Sequence, residues 1–239
     1  MGWYSKFYGT PGPGIPKDAH KPTGLRLFFS TLAREWKNLL KLNLMFLLFS
    51  LPVVTIPAAL CAMQHITIKM IQDEPFLLWA DFRAAFRRLW KRASLWGWGY
   101  TLLMLAAVYC LHFYAQLEMY HTLFLLPFLF AAILTLFLAL SGIYLFPLLI
   151  RSDMSGRALI QNACLMALAY LPHGLPALIC STALGLLCDI FFPLAWPIVL
   201  LFLFALQSLL FAFSAWSDIC RQLRRSNGAV TMEFDSNQQ

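Results

Sequence analysis

Side chains able to do chemistry are sparse in this chain, and almost none of them carries a charge where it would matter most. Within the apolar runs the polar groups are Asn43, Gln64, His65, Thr67, His112 and Thr135, then Ser141, Gln161, Asn162, His173, Ser181, Thr182 and Gln207. Nucleophilic hydrolysis needs a hydroxyl or thiol with a base in reach. Ser141 or Ser181 with His173 supplies the residue types, but on separate segments. The sequence holds no H-E-x-x-H, G-x-S-x-G or Walker pattern and no paired carboxylates. No catalytic residue, metal ligand or cofactor site is expected, and the chain is read as not an enzyme. Ion-coupled carriers keep a charged group near the membrane midplane. Here the nearest acids, Glu118, Asp189 and Asp218, stand at the ends of apolar runs, so ion-coupled transport is not expected. Each histidine also has a plain explanation. His112 is near an interface, His65 shares a solvated face with Lys69, and His173 satisfies carbonyls freed by a helix break. Gln161, Asn162 and Gln207 read as hydrogen-bonding glue between helices.

The elements that hold these groups follow from five runs without Asp, Glu, Lys or Arg: Leu42–Ile68, Ala93–Leu117, Met119–Ile150, Ala158–Cys188 and Ile190–Ser217. A hydrocarbon core about 30 Å thick is crossed by roughly 20 apolar helical residues, and each run exceeds that. The 239 residues are 60% hydrophobic and 12% charged, outside ordinary soluble composition. Barrel strands would alternate apolar and polar residues, whereas these runs are continuous. The expected fold is an all-α polytopic membrane bundle, with four to five membrane segments (39–68, 93–117, 119–150, 158–188, 190–217) and one interfacial amphipathic helix. A mobile, Pro/Gly-rich arm (1–24) without a cleavable signal precedes the helical domain (25–225), and a disordered polar tail (226–239) follows it.

Net charge is +7, with 18 Lys and Arg, all outside the five runs and mostly beside their ends. That is the footprint of membrane orientation and anionic headgroups rather than nucleic acid, for which no base-reading module is present. Six cysteines lie in or beside apolar runs with no C-x-x-C pair and read as small buried hydrophobes.

Two runs are interrupted. Pro52 and Pro57 bracket Val53–Ile56 and divide the first into half-helices Leu39–Leu51 and Pro57–Ile71, since proline removes a donor and disfavours helix just before it. Either the halves cross as one kinked span or they enter and leave on one side. A span would split the basic residues seven against eleven; re-entry would put all 18 on one face, as the positive-inside rule prefers. Length favours the span, and both arrangements stay open. The fourth run is broken by Leu171-Pro172-His173-Gly174-Leu175-Pro176, which lipid tolerates only where neighbours satisfy the freed backbone groups.

Between the first two runs, Asp81 can cap a helix at 81–92. Phe82, Ala85, Phe86, Leu89 and Trp90 form one apolar stripe, flanked by Arg83, Arg87, Arg88, Lys91 and Arg92. Such a helix is expected in the headgroup plane, with its aromatic face inserted and its cations on lipid phosphates, or docked to a cytoplasmic partner. The contact residues expected for lipid or partner are Phe82, Arg83, Phe86, Arg87, Arg88, Trp90, Lys91 and Arg92.

Pro11-Gly12-Pro13-Gly14-Ile15-Pro16-Lys17, the block Asn38–Leu60 and the Trp79-Ala80-Asp81-Phe82-Arg83 loop resemble the YesL-like family of bacterial membrane proteins, a domain of unknown function. Tyr144-x-x-Pro147 and Gln161-Asn162-Ala163 leading to Leu171-Pro172 are also similar. The chain departs from the family pattern at Ile56-Pro57, where members often have Gly before the proline. The resemblance implies a multi-pass protein of the bacterial plasma membrane associated with carbohydrate ABC importers, and it supplies no catalytic residues. The leading expectation is therefore a non-catalytic accessory or scaffold protein, with importer subunits or a second copy of itself as partners. The alternative is a small oligomeric facilitator for an uncharged solute, built on the breaks at Pro52–Pro57 and Pro172–Pro176.

Overall fold

A computed structural model describes residues 25–118, 122–151, 155–191 and 202–219. The arm at 1–24, the tail at 226–239, Tyr120, Cys220, Arg221, Arg224 and Arg225 lie outside them, as do parts of the third and fifth runs. Among the described residues the chain is helical throughout: α1 (Leu25–Phe49), a 3₁₀ turn (Val53–Thr55), α2 (Ile56–Gln72), α3 (Leu78–Glu118), a 3₁₀ turn (Thr122–Phe124), α4 (Leu125–Arg151), α5 (Gly156–Ala169), α6 (Leu171–Ile190) and α7 (Phe204–Ile219). It is an all-α polytopic bundle with four stretches long and apolar enough to cross a membrane: Val53–Gln72, Leu78–Leu117, Thr122–Ile150 and Leu171–Ile190.

The first break is a hairpin. Pro52 and Pro57 bound it as expected; Pro57 sits in the first turn of α2, where a missing N–H costs nothing. Thr55 Oγ1 closes the turn by donating to the carbonyls of Phe49 and Pro52, each at 2.6 Å. Arg34, in the first half of α1, reaches the far end of α2. It pairs with Asp73 and donates to the Met70 carbonyl at 3.3 Å. In a kinked single span these groups would stand at opposite ends, so the halves fold back and both ends of the pair lie on one side of the bundle. Asp73 ends α2 in the left-handed conformation, at φ 58°.

Three expectations are corrected. The interfacial helix at 81–92 is not a separate element. It runs without a break into the second span as α3, 41 residues and about 60 Å long, twice the hydrocarbon thickness. Nothing near Ala93 stops it, since Gly97 and Gly99 each cost a helix only about 1 kcal/mol. The break in the fourth run falls at Tyr170, ahead of the prolines. Pro172 then occupies the first turn of α6, where its missing N–H costs no intrahelical bond, whereas Pro176 lies inside the helix and leaves the Pro172 carbonyl without its i+4 donor. Asp218, read as an acid at the end of an apolar run, is completely buried.

Burial ranks the helices. In α2, 67% of the apolar window is buried, against 11% in α3, α4 and α6. Helix α2 is therefore an inner element, and much of the other three carries exposed Leu, Ile, Val and Phe suited to lipid. Helix α7 is the other inner element. Asn43 of α1 accepts from its Ala205 N–H at 3.1 Å, and Phe46 and Phe28 of α1 pack on its Phe204 and Phe213. Thr67 of α2 meets Ser208 at 3.3 Å. Where α2 and α3 touch, Gly97 faces Pro57 so closely that a Cβ would collide with the proline ring, so the glycine sets the spacing.

Candidate functional site

Three places collect the polar groups. The first is the basic beginning of α3. Part of its apolar stripe is covered by protein: Phe82 is fully buried, and the Phe82 and Phe86 rings pack against Phe49 at 5.2 and 5.0 Å between centroids, while Trp90 stays exposed. Periodicity located the face correctly, but a hydrophobic stripe does not say whether protein or lipid will cover it. Two polar contacts then fix the segment. Lys69 Nζ donates to Asp81 Oδ2 at 2.9 Å, and Arg88 Nη2 donates to the Ile150 carbonyl at 3.4 Å. Asp81 does not cap the helix from outside; it lies in the first turn and also accepts from the Leu77 N–H at 3.2 Å. Arg83, Arg87, Arg88, Trp90 and Lys91 are exposed and Arg92 is half-buried. Lys91 Nζ sits 5.9 Å from the Trp90 ring centroid, within cation–π range.

The second place was not read from the sequence. Tyr144 of α4, fully buried, donates to Asp218 Oδ2 of α7 at 2.9 Å and lies 3.4 Å from the Tyr170 carbonyl. His173 Nδ1 is 3.8 Å from Asp218 Oδ1. The His173 carbonyl accepts from Ser214 Oγ at 2.9 Å. The α5–α6 break is thus tied to α4 and α7 by one polar knot around a carboxylate. His173 belongs to it through an acid partner as well as through its backbone. Its members were in view in the sequence separately, His173 in the helix break, Asp218 at the end of a run and Tyr144 as part of Tyr144-x-x-Pro147, but nothing in the pattern joined them.

The third place is a half-open cleft of about 250 Å³ between α2, α3, α4, α6 and α7. Its walls are mostly Leu, Ile, Met and Phe, with polar atoms from Gln64, Gln207, Ser208 and Tyr100. Gln207, expected as interhelical glue, stands on this wall. Asn162 donates to the Ala158 carbonyl of its own helix at 2.9 Å, and Gln161 is exposed. Ser141 Oγ donates to the Leu138 carbonyl of its own helix at 2.8 Å. His112 is exposed and pairs with Gln116 at 3.1 Å. His65 is half-buried beside Lys69 and Glu74 in a separate crevice. The five described cysteines are free.

A family model described as a protein of unknown function, DUF624, matches residues 39–110, which take in the second half of α1, the hairpin, α2 and most of α3. No curated protein and no solved structure matches the chain.

Proposed function

We propose that this chain is a non-catalytic accessory or scaffold protein of the bacterial plasma membrane, and that it serves a carbohydrate ABC importer of the kind its YesL-like resemblance implies. The observation that carries this reading is the basic beginning of α3. That segment is held to α2 through Lys69–Asp81 and to α4 through Arg88, and it presents Arg83, Arg87 and Lys91 outward. A long side chain on a mobile loop loses rotamer freedom when it binds, whereas a preformed helical row loses less. Cations in such a row suit anionic headgroups and an acidic partner surface alike. The expected anchoring in anionic lipid and the docking of a cytoplasmic partner therefore use the same residues.

The test is purification at native level in mild detergent after crosslinking. A permease subunit recovered at constant stoichiometry, and lost from the Arg83→Glu/Arg87→Glu variant, supports the accessory reading. Recovery of the chain only as a homo-oligomer contradicts it. That second outcome favours the facilitator for an uncharged solute, a reading supported by the uncharged lining of the half-open cleft.

A further inference from the structure

We infer that the tip of the α1–α2 hairpin is a lipid-binding wedge: Leu51, Val53 and Val54 insert among the acyl chains of the leaflet on the basic side of the bundle, and α2 leads back out instead of crossing. The inference does not rest on the accessory reading.

Depth follows from the register with α3. The Trp98 indole donates to the Val54 carbonyl at 3.0 Å, and Pro57 lies against Gly97. From there α2 runs antiparallel to α3, since Lys69 near its end meets Asp81. Charges on all three helices bracket the tip. On α3, Arg92 stands five residues before Gly97, about 7.5 Å along the helix. On α1, Lys41 stands eight residues before Phe49, about 12 Å. On α2, Lys69 stands twelve residues after Pro57, about 18 Å. Long cations keep their heads at the membrane surface. With these at the headgroups, the tip falls inside the hydrocarbon, whose half-thickness is about 15 Å. Beyond the tip α3 continues from Trp98 to Glu118, 20 residues and about 30 Å further.

The turn is also built as hydrocarbon requires. Leu51, Val53 and Val54 are 75%, 60% and 64% exposed, and no charged residue lies between Lys41 and Lys69. Its carbonyls nevertheless have donors within the protein. The Thr55 hydroxyl is shared between those of Phe49 and Pro52. The Thr55 N–H also donates to Pro52, the Ile56 N–H to Val53, and Trp98 to Val54. Pro52 and Pro57 have no N–H to satisfy. An exposed turn in water needs no such provision, because water supplies the donors; in lipid an unpaired carbonyl is strongly unfavourable. Exposed apolar side chains over a satisfied backbone therefore suit acyl chains.

The test uses the full chain in phosphatidylcholine vesicles, with accessible native cysteines replaced and one nitroxide label at position 54, 74 or 105. Power saturation compares collisions with oxygen, which concentrates in hydrocarbon, and with a water-soluble nickel chelate. Glu74 is exposed beyond α2, and Leu105, 60% exposed, lies mid-way along the charge-free part of α3. The expected result at 54 is an excess of oxygen over nickel collisions that is larger than at 74 and smaller than at 105. Nickel collisions like those at 74 would put the tip in water and overturn the inference. Few collisions with either reagent would overturn it too, showing a second copy or another protein over the tip. An oxygen excess equal to or above that at 105 would contradict a shallow wedge. Thr55→Val and Trp98→Phe, which each strip a donor from the turn, should shift the label at 54 towards nickel; no shift in either variant would also overturn the inference. The first three outcomes need only a label at an exposed position, so a folding defect in a donor variant does not shield the inference.

Discussion

Replacing Tyr144 by Phe isolates the polar knot at the α5–α6 break. The ring is fully buried and would keep its packing, so the change removes one hydroxyl and little else. That hydroxyl donates at 2.9 Å to Asp218, itself without exposed surface. In soluble proteins a hydrogen bond to a charged group contributes about 1.5–3 kcal/mol. Side-chain hydrogen bonds inside membrane proteins average only about 0.6 kcal/mol and reach about 1.7, because the unfolded chain in lipid finds other partners. A buried carboxylate acceptor belongs at the upper end of that scale, so the expected loss is about 1–2 kcal/mol. Unfolding titrations in mixed micelles with a denaturing detergent measure it. A cycle with Asp218→Leu should give a coupling of about 1 kcal/mol, since the two groups act on each other directly. A Tyr144→Phe loss below about 0.5 kcal/mol, or strict additivity in the double variant, would refute the assignment of Tyr144 as the partner that stabilises buried Asp218.

Other substitutions probe the rest of the frame. Gly97→Ala places a methyl against Pro57 and should cost about 1–3 kcal/mol by overpacking, whereas Gly99→Ala meets open space and should be neutral or stabilise by up to about 1 kcal/mol through helix propensity; thermal unfolding of the two variants side by side decides. Breaking Lys69–Asp81, whose side chains are 22% and 28% exposed, should cost no more than about 1 kcal/mol and less at high salt. The hairpin predicts that cysteines placed at Lys37 and Glu74 respond alike to an impermeant thiol reagent applied to sealed cells, with the accessible native cysteines replaced; labelling of one and protection of the other would break the hairpin.

Charge and hydropathy made the solvent of this chain legible, and with it the all-α bundle, because every charge withheld from an apolar run is a direct consequence of the bilayer. Prolines at 52 and 57 likewise announced the first break, although only the reach of Arg34 to Asp73 distinguished a hairpin from a kink. Local pattern was less informative where the neighbour decides the outcome. Phe82 and Phe86 sit on the apolar face that periodicity assigns, yet Phe49 covers them, and no sequence rule names the covering residue. The continuity of α3 was hidden by its change of character from amphipathic to wholly apolar near Ala93, which suggests two elements although the backbone has no reason to stop. Asp218 was visible only as an acid at the end of an apolar run. Its burial depends on Tyr144, 74 residues earlier, and on the packing of α7 against α4, a long-range fact. Gln64 was visible as a polar group in an apolar run, but the cleft beside it exists only once five helices are assembled.

Site-specific photocrosslinking from position 87 in living cells addresses the central claim most directly, because Arg87 stands on the exposed flank of the rigid α3 segment. The accessory reading predicts one discrete adduct with an importer permease, absent when the crosslinker is moved to lipid-facing Ile133. Adducts with lipid alone, or only with a second copy of this chain, would contradict it.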